Sequence, residues 1–198
     1  MLGADTSAVR SDLRDLRVGM KLGEIPAGGY VNLRCATEAE KTLASWFDYK
    51  QCAVDGYGRH AVHFEFDEKT NVLGSLDDKY RGTKVGGHPV ILTLLIDHTE
   101  RVVGLDIETD NNTRLFLRKK AHMLGRQAMS FYGDDGWTCE RRQPGSDEAP
   151  IGGLFIRERC SKTVDGKDIV VHRDFYRPLH GELKDFVSTA KIEVHSIK

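Results

Sequence analysis

The sequence lacks several features that would point to a particular activity. Aromatic residues make up only 8% of the chain, and 29 basic residues almost balance 30 acidic ones. A nucleic-acid-binding protein needs surplus lysine and arginine to neutralise phosphates, and it often needs aromatic side chains on which bases stack. Neither is evident, so we expect no nucleic-acid partner. No apolar run approaches the ~20 residues that span a bilayer, so we expect no membrane-spanning segment.

Motifs for catalysis, nucleotide binding and metal binding are also missing. The chain contains no Gly-x-Ser-x-Gly motif, no phosphate loop with the Gly-Lys-Ser/Thr order and no Cys-x-x-Cys pair. We therefore predict no cofactor, no metal ligands and no catalytic residues. Whether the protein is an enzyme stays open at this stage, but these absences favour a protein without catalytic activity.

The four cysteines are the clearest positive feature, and they are Cys35, Cys52, Cys139 and Cys160. Four cysteines allow three pairings; each half of the chain holds two in strand-like segments, which favours disulfides Cys35–Cys52 and Cys139–Cys160. Four buried free thiols or a divided zinc site are the alternatives. Disulfides predict a periplasmic or otherwise extracytoplasmic protein. The N-terminus has no apolar signal core, so we expect a removed signal peptide, with a cytoplasmic protein as the alternative.

Residues 113–133 form the only long segment with helical periodicity. Its apolar residues recur at spacings of three and four, which predicts one long amphipathic helix; they are Leu117, Ala121, Leu124, Ala128 and Phe131. Gly133 is a plausible C-cap, because glycine adopts the left-handed conformation cheaply. The opposite side is basic and predicts either a solvated surface or a docking site for an acidic protein partner; it carries Arg114, Arg118, Lys119, His122 and Arg126.

The rest of the chain reads as short strands joined by turns. Two hairpins are predicted, one from residues 90–96 and 102–108, the other from residues 154–161 and 168–177. The second is centred on Asp165-Gly166. In that register Glu158 faces Arg173, and Arg157 faces Asp174, so opposite charges meet across the strands.

A sequence pattern that occurs in both halves suggests an internal duplication. The run from Cys52 through Asp55-Gly56 to Val62-His63 is repeated in the run from Cys160 through Asp165-Gly166 to Val171-His172. We interpret this repeated pattern as a duplicated helix-plus-sheet unit, with chance similarity between two hairpins as the alternative.

The predicted fold is therefore α+β. An antiparallel sheet in two related halves carries one long amphipathic helix. The halves are residues 1–110 and residues 111–198, either as separate units or as one continuous domain. The predicted core consists of Leu92, Leu94, Ile96, Leu117, Leu124, Phe131, Ile156, Val171 and Ile192.

Two resemblances follow from these features. The tandem of helix-plus-sheet units with one disulfide each is similar in outline to the beta-lactamase inhibitory proteins. The stretch Leu16-Arg17-Val18-Gly19-Met20 resembles the opening of the BamE lipoprotein family. In that family a helix follows the Gly-Met pair, whereas here Pro26 and two glycines interrupt it. Both resemblances imply an exported, non-catalytic binding or assembly protein, and no functional residue is transferred from either.

Three functional hypotheses remain. The first is an exported, non-catalytic binding or assembly-accessory protein that contacts a protein partner through the basic helix face, the loop of residues 143–153 or the exposed sheet. The second is a small-ligand-binding protein or enzyme with a site between the halves, where His63, His122 and Asp106 are the candidate groups. The third is a cytosolic structural protein. Asp106, Glu108 and Asp110 alternate along one strand, where charge compensation is simpler than calcium binding or acid–base chemistry.

Overall fold

A computed structural model describes residues 10–38, 41–67 and 82–197, and most of them lie in antiparallel strands. Ten strands are present in this part of the chain: β1 (Tyr30–Cys35), β2 (Arg59–Phe66), β3 (Thr83–Val85), β4 (His88–Asp97), β5 (Val102–Thr109), β6 (Thr138–Arg141), β7 (Glu148–Ala149), β8 (Ile156–Val164), β9 (Lys167–Pro178) and β10 (Val187–Ser196). The α-helices are α1 (Leu115–Arg118) and α2 (Met123–Phe131), and short 3-10 turns cover Leu22–Glu24, Trp46–Gln51 and Leu183–Asp185.

The strands form one continuous sheet in the order β1-β2-β4-β5-β10-β9-β8-β6. Each half of the chain contributes four consecutive positions to this order, and the halves meet where β5 pairs with β10. Ile107 lies opposite Ile192 there, and Asp106 lies opposite Glu193. Because the junction is itself a hydrogen-bonded strand pair, the sheet passes from one half to the other without a break.

Burial alternates along the central strands, as the period of two in an extended chain requires. In β10, Ala190, Ile192 and Val194 are buried, while the residues between them are partly exposed. The sheet therefore has one apolar side and one polar side.

The apolar side of the first half is covered by residues 16–25 and by the turn Trp46–Gln51. The first segment is held by backbone bonds: the Gly19 N–H donates to the Val102 carbonyl at 2.7 Å, and the Val102 N–H donates to the Met20 carbonyl at 2.9 Å. Beside it the Trp46 and Phe64 rings meet edge to face at 5.3 Å between centroids. Tyr30 and Phe66 complete this aromatic cluster.

The apolar side of the second half is covered by α1 and α2, and the prediction of one long amphipathic helix over residues 113–133 is wrong. Polar groups of the sheet divert the chain between the two helices. The His122 N–H donates to Ser188 Oγ at 3.2 Å, and Arg173 Nε donates to the His122 carbonyl at 3.2 Å. The predicted end is confirmed, because α2 stops at Phe131 and Gly133 has a φ of 93°.

The α+β fold with a long helix is thus replaced by an almost all-antiparallel sheet with short helices. Six of the nine predicted core residues are buried: Leu92, Leu94, Ile96, Leu124, Val171 and Ile192. Leu117 and Ile156 are only partly buried. Phe131 is 37% exposed, and the Arg10 guanidinium lies 3.7 Å from its ring centroid. The interruption of the helix explains why Leu117 and Phe131 fail to share one buried stripe.

Both predicted disulfides are confirmed. The Cys35–Cys52 bond joins β1 to the residue after the 46–51 turn, with Cα atoms 5.2 Å apart. The Cys139–Cys160 bond joins directly opposed residues of β6 and β8, with Cα atoms 4.0 Å apart. The free-thiol and zinc alternatives are thereby excluded. Two disulfides indicate an oxidising, extracytoplasmic environment.

Both predicted hairpins are confirmed as β4–β5 and β8–β9. Arg157 lies opposite Asp174 and Glu158 opposite Arg173, with the Arg173 Nη1 to Glu158 Oε1 distance at 2.7 Å. The proposed duplication gains no support from the strand order. Val62 lies in the second strand from one sheet edge, whereas Val171 lies in the third strand from the other.

A buried ion pair ties the two halves together across the apolar side. Asp12 Oδ1 lies 2.5 Å from Lys167 Nζ, and only 1% of the Asp12 side chain and 11% of the Lys167 side chain are exposed. Asp12 Oδ2 also accepts the Val18 N–H at 2.8 Å. The N-terminal segment is thus anchored at the start of β9.

Candidate functional site

The polar side of the sheet, called here the polar face, carries charged and hydrogen-bonding side chains from six neighbouring strands. The pairing register brings them together: His63 lies opposite Thr93, and Thr93 lies opposite Asp106. The polar face comprises His63, Thr93, Asp106, Glu108, Lys191, Glu193, His195, His172, Asp174, Arg157 and Arg159. All of them are at least partly exposed.

Ion pairs hold the centre of the polar face in place. His195 Nε2 lies 2.8 Å from Asp106 Oδ1, across the junction between the halves. Glu193 binds Lys191 at 2.7 Å and His172 at 3.3 Å. Burial opposes the charge of Glu193, but the Lys191 hydrogen bond and nearby positive charges outweigh it and lower the pKa of Glu193. Burial likewise opposes the charge of Lys191, and its bond to Glu193 raises the pKa of Lys191 overall.

A cavity with a volume of about 780 Å³ lies on the polar face at the junction between the halves. Tyr57 and Arg59 from the start of β2 line it, as do Asp168 and Val170 from β9 and His195 from β10. These strands are separated by β4, β5 and β10, so in a flat sheet β2 and β9 would lie roughly 19 Å apart. The cavity therefore extends across all three intervening strands.

A smaller cavity of about 230 Å³ lies at the other end of the polar face, near the sheet edge formed by β6. Arg142, Arg157 and Arg159 line it together with His172 and Asp174. Arg157 is paired with Glu148 and lies 3.5 Å from Asp174. Arg142 and Arg159 form no salt bridge with any residue in the described ranges. Glu140 also lines this cavity and lies opposite Arg159 in the β6–β8 register, so this end of the polar face presents two arginines without a salt bridge beside a carboxylate of β6.

The three groups proposed for a site between the halves are not brought together. His63 and Asp106 both lie on the polar face, separated by Thr93, which His63 Nδ1 contacts at 2.9 Å. Burial, with a smaller contribution from Arg34, lowers the pKa of His63. His122 lies on the opposite side of the sheet, where its ring is 4.2 Å from the Phe175 ring centroid. Of the predicted carboxylates, Asp106 and Glu108 share the polar face, and Asp110 lies beyond the end of β5.

The predicted basic helix face is divided by the interruption between α1 and α2. Arg114, Lys119 and Arg126 are exposed. Arg118 lies against the sheet layer, where its Nη2 donates to the Phe186 carbonyl at 3.3 Å. Burial, followed by the positive charges of Arg173 and His88, lowers the pKa of His122 to about 4. His122 is therefore neutral near neutral pH and adds no charge to this surface.

Sequence reasoning missed the exposed apolar residues of α1 and α2. Leu115, Phe116 and Met123 are 48%, 72% and 47% exposed, and they lie among lysines and arginines. It also missed Arg142 and Arg159. The strand alternation in β8 places Arg157 and Arg159 on one face, but the register with β9 and β6 was needed to show which neighbours they meet.

None of the helices in the described ranges has both the length and the apolar character needed to cross a bilayer. Within the same ranges, no group of three or more histidine, cysteine, aspartate or glutamate side chains converges on a metal site. Comparisons with protein-family models, curated proteins and solved structures found no match to the chain. Neither sequence resemblance gains support from them, so the functional argument depends on the surfaces alone.

Proposed function

We propose that the protein is an exported, non-catalytic binding or assembly-accessory protein of the periplasm or another extracytoplasmic space, and that its polar face contacts a protein partner. The observation that carries this proposal is the ion-paired polar face, which lies opposite the layer that covers the core. Two disulfides support the compartment.

The polar face is suited to recognition because its groups are held on strands rather than on loops. Lys191, Glu193 and His172 are already fixed by mutual contacts, so a partner would order few side chains on binding. Fixed charges of both signs give specificity and orientation more than raw affinity. We therefore expect a selective partner rather than a general polyanion.

The partner should present acidic side chains to the end of the polar face near β6. Arg142 and Arg159 lie beside the smaller cavity and form no salt bridge with residues in the described ranges, although the Glu140 side chain also lines that cavity. Arginine binds carboxylates through two parallel hydrogen bonds, and it is enriched in protein interfaces. A partner carboxylate in that cavity would compensate both charges.

The test begins with a photo-crosslinking residue at Ser161, which lies on the polar face between Thr138 and Val170. A matched probe at the exposed Asp135 serves as the control. The protein crosslinked only from Ser161 would then be purified, and its affinity for the intact, disulfide-bonded chain would be measured calorimetrically.

Charge reversals decide which surface is used. Arg142→Glu with Arg159→Glu should weaken binding by about a hundredfold or more, because each reversal removes an attraction and adds a repulsion. Lys119→Glu with Arg126→Glu changes the net charge equally on the opposite side of the sheet and should leave the affinity within about threefold. If instead the second pair abolishes binding and the first does not, the partner docks on the helices and the polar-face proposal fails.

A second candidate function is small-ligand binding in the 780 Å³ cavity. Its volume falls within the range of about 300–1,000 Å³ that is usual for ligand sites, and it lies between the halves as the second hypothesis requires. A thermal-shift screen of metabolites would test this candidate. Stabilisation that disappears in a His195→Ala variant would favour it over a protein partner.

A further inference from the structure

The exposed side of α1 and α2 combines apolar and cationic residues in a way that neither a buried helix nor an ordinary solvated one does. It consists of Leu115, Phe116, Lys119, Lys120, Met123 and Arg126, all of which are exposed. We call this surface the cationic corner. We propose that the cationic corner docks the protein on a bilayer surface that contains anionic phospholipid.

The apolar part of the cationic corner is left open by the fold. Phe116 is 72% exposed and Leu115 is 48% exposed, and the four-residue helix to which both belong has no buried residue. The Lys120 Nζ lies 5.4 Å from the Phe116 ring centroid, so an ammonium group accompanies the exposed ring. An aromatic ring flanked by cations suits the bilayer interface. The ring can enter the acyl boundary while the cations stay with the phosphate headgroups.

The charge of the cationic corner has one sign. Residues 111–133 contain five lysines and arginines and no acidic residue. Lys119, Lys120 and Arg126 form no salt bridge with residues in the described ranges. Each such cation near an anionic bilayer strengthens binding by about fivefold. In the neighbouring turn Glu182 is paired with Lys184 at 2.8 Å, which leaves the single negative charge of Asp185 against these cations.

The cationic corner is rigidly attached to the sheet on the side away from the polar face. A Cβ at Gly125 would lie 2.5 Å from Arg173 Cγ, so α2 packs closely on β9. Ser188 Oγ accepts the N–H of His122, which lies between the helices, and also contacts His122 Nδ1. Docking through the cationic corner would therefore leave the polar face turned away from the bilayer and accessible to a protein partner.

A soluble acidic polymer would satisfy the cations but would offer no apolar surface to Leu115, Phe116 and Met123. A bilayer satisfies both features, because its headgroups attract lysine and arginine while its acyl boundary takes up apolar side chains. The combination of single-sign charge and exposed apolar side chains is therefore the argument for lipid.

The test is co-sedimentation of the intact, disulfide-bonded protein with vesicles of pure phosphatidylcholine and with vesicles that also contain phosphatidylglycerol. Binding only to the second kind is expected, and it should weaken with added salt. Lys119→Gln with Lys120→Gln should lower the partition coefficient by about twentyfold. Phe116→Ser should lower it by about tenfold, because an apolar contact is lost.

Matched variants on other surfaces serve as controls. Phe47 is 56% exposed on the 46–51 turn, so Phe47→Ser removes a comparable aromatic residue. Lys21→Gln with Lys50→Gln removes two exposed positive charges from the N-terminal segment and the 46–51 turn. Both controls should leave the partition coefficient within about twofold. Unchanged near-ultraviolet circular dichroism in every variant would show that folding is not the cause of any loss.

A second measurement reports insertion directly. Tryptophan placed by Phe116→Trp should be quenched by brominated anionic lipid, whereas tryptophan placed by Phe47→Trp should not. Binding that survives Phe116→Ser and is matched by soluble polyglutamate would overturn the proposal and assign the corner to an acidic polymer or protein. No binding to anionic vesicles by the unmodified protein would overturn it as well.

Discussion

The two halves of the sheet are covered in different ways on their apolar side. In the first half, residues 16–25 and the aromatic cluster form a dry layer in which Leu16 and Phe64 are almost completely buried. In the second half, α2 reaches the sheet through Leu124 and Gly125, and polar groups such as His122 and Arg173 lie at the contact. The covering layer of the first half is apolar, whereas the contact of α2 with the sheet combines Leu124 with hydrogen-bonded polar groups.

This difference indicates that the first half mainly stabilises the fold, while the second half mainly exposes side chains that a partner can contact. A fully buried large apolar side chain contributes about 1.5–3 kcal/mol, and most such side chains lie in or beside the first half. The thin layer over the second half leaves Leu115, Phe116 and Met123 on the outside. We infer that the first half secures the fold, while the second half supplies the cationic corner and the arginine-rich end of the polar face.

The largest expected effect comes from breaking the contact that joins the halves. Asp12→Ala leaves Lys167 buried without its partner and should lower the free energy of unfolding by about 3–5 kcal/mol, measured by urea denaturation. Asp12→Leu with Lys167→Met should recover much of the loss, because no buried charge remains. Asp135→Ala, at an exposed carboxylate, is the control. A loss below about 1 kcal/mol for Asp12→Ala would show that the halves do not depend on this ion pair.

A pair of truncations compares the two covering layers directly. Phe64→Ala should lower the free energy of unfolding by about 4 kcal/mol, because the aromatic cluster cannot collapse into the space that the ring leaves. Leu124→Ala should cost about 2–3 kcal/mol, since α2 is a short surface helix that can settle toward the sheet. Equal losses in denaturation experiments would remove the distinction between a packed half and a thinly covered half.

The smallest expected effect is a pH dependence that belongs to the second half. Burial lowers the pKa of His122 from 6.5 to about 4, with Arg173 and His88 contributing. Below about pH 6.5 the unfolded chain takes up a proton that the folded chain does not, so stability is lost as the pH falls toward about 4.

The free energy of unfolding is expected to fall by about 1–2 kcal/mol between about pH 7 and about pH 4, allowing for the partial exposure of His122. His122→Gln should flatten this slope in thermal unfolding at several pH values. His88, whose pKa burial and Lys120 also lower, would account for the remainder. An unchanged slope in His122→Gln would assign the pH dependence to the first half or to carboxylates.

Much of the sheet could be predicted from local patterns. The β8–β9 register followed from Asp165-Gly166 and from the opposed charges, and the β4–β5 hairpin followed from its apolar strands and compact turn. The long helix could not be excluded in this way, because the contacts of His122 with Ser188 and Arg173 that divert it come from residues more than forty positions away.

The candidate site was less accessible to sequence reasoning. Asp106 was identified as a candidate group, but its contact His195 lies in a strand that joins β5 only after the chain has crossed the whole second half. Arg142 and Arg159 belong to no sequence motif that would identify them. They stand out only because the folded strands leave both without a salt bridge in the described ranges.

By itself the sequence determined which cysteines pair, which strands form hairpins and which residues alternate between the two sides, because each depends on short spacings and turn chemistry. Only the folded arrangement showed that β5 and β10 join the halves, that a cavity lies at this junction and that the helix is interrupted. These features arise from contacts between distant segments, and no local pattern carries the free energy of such contacts.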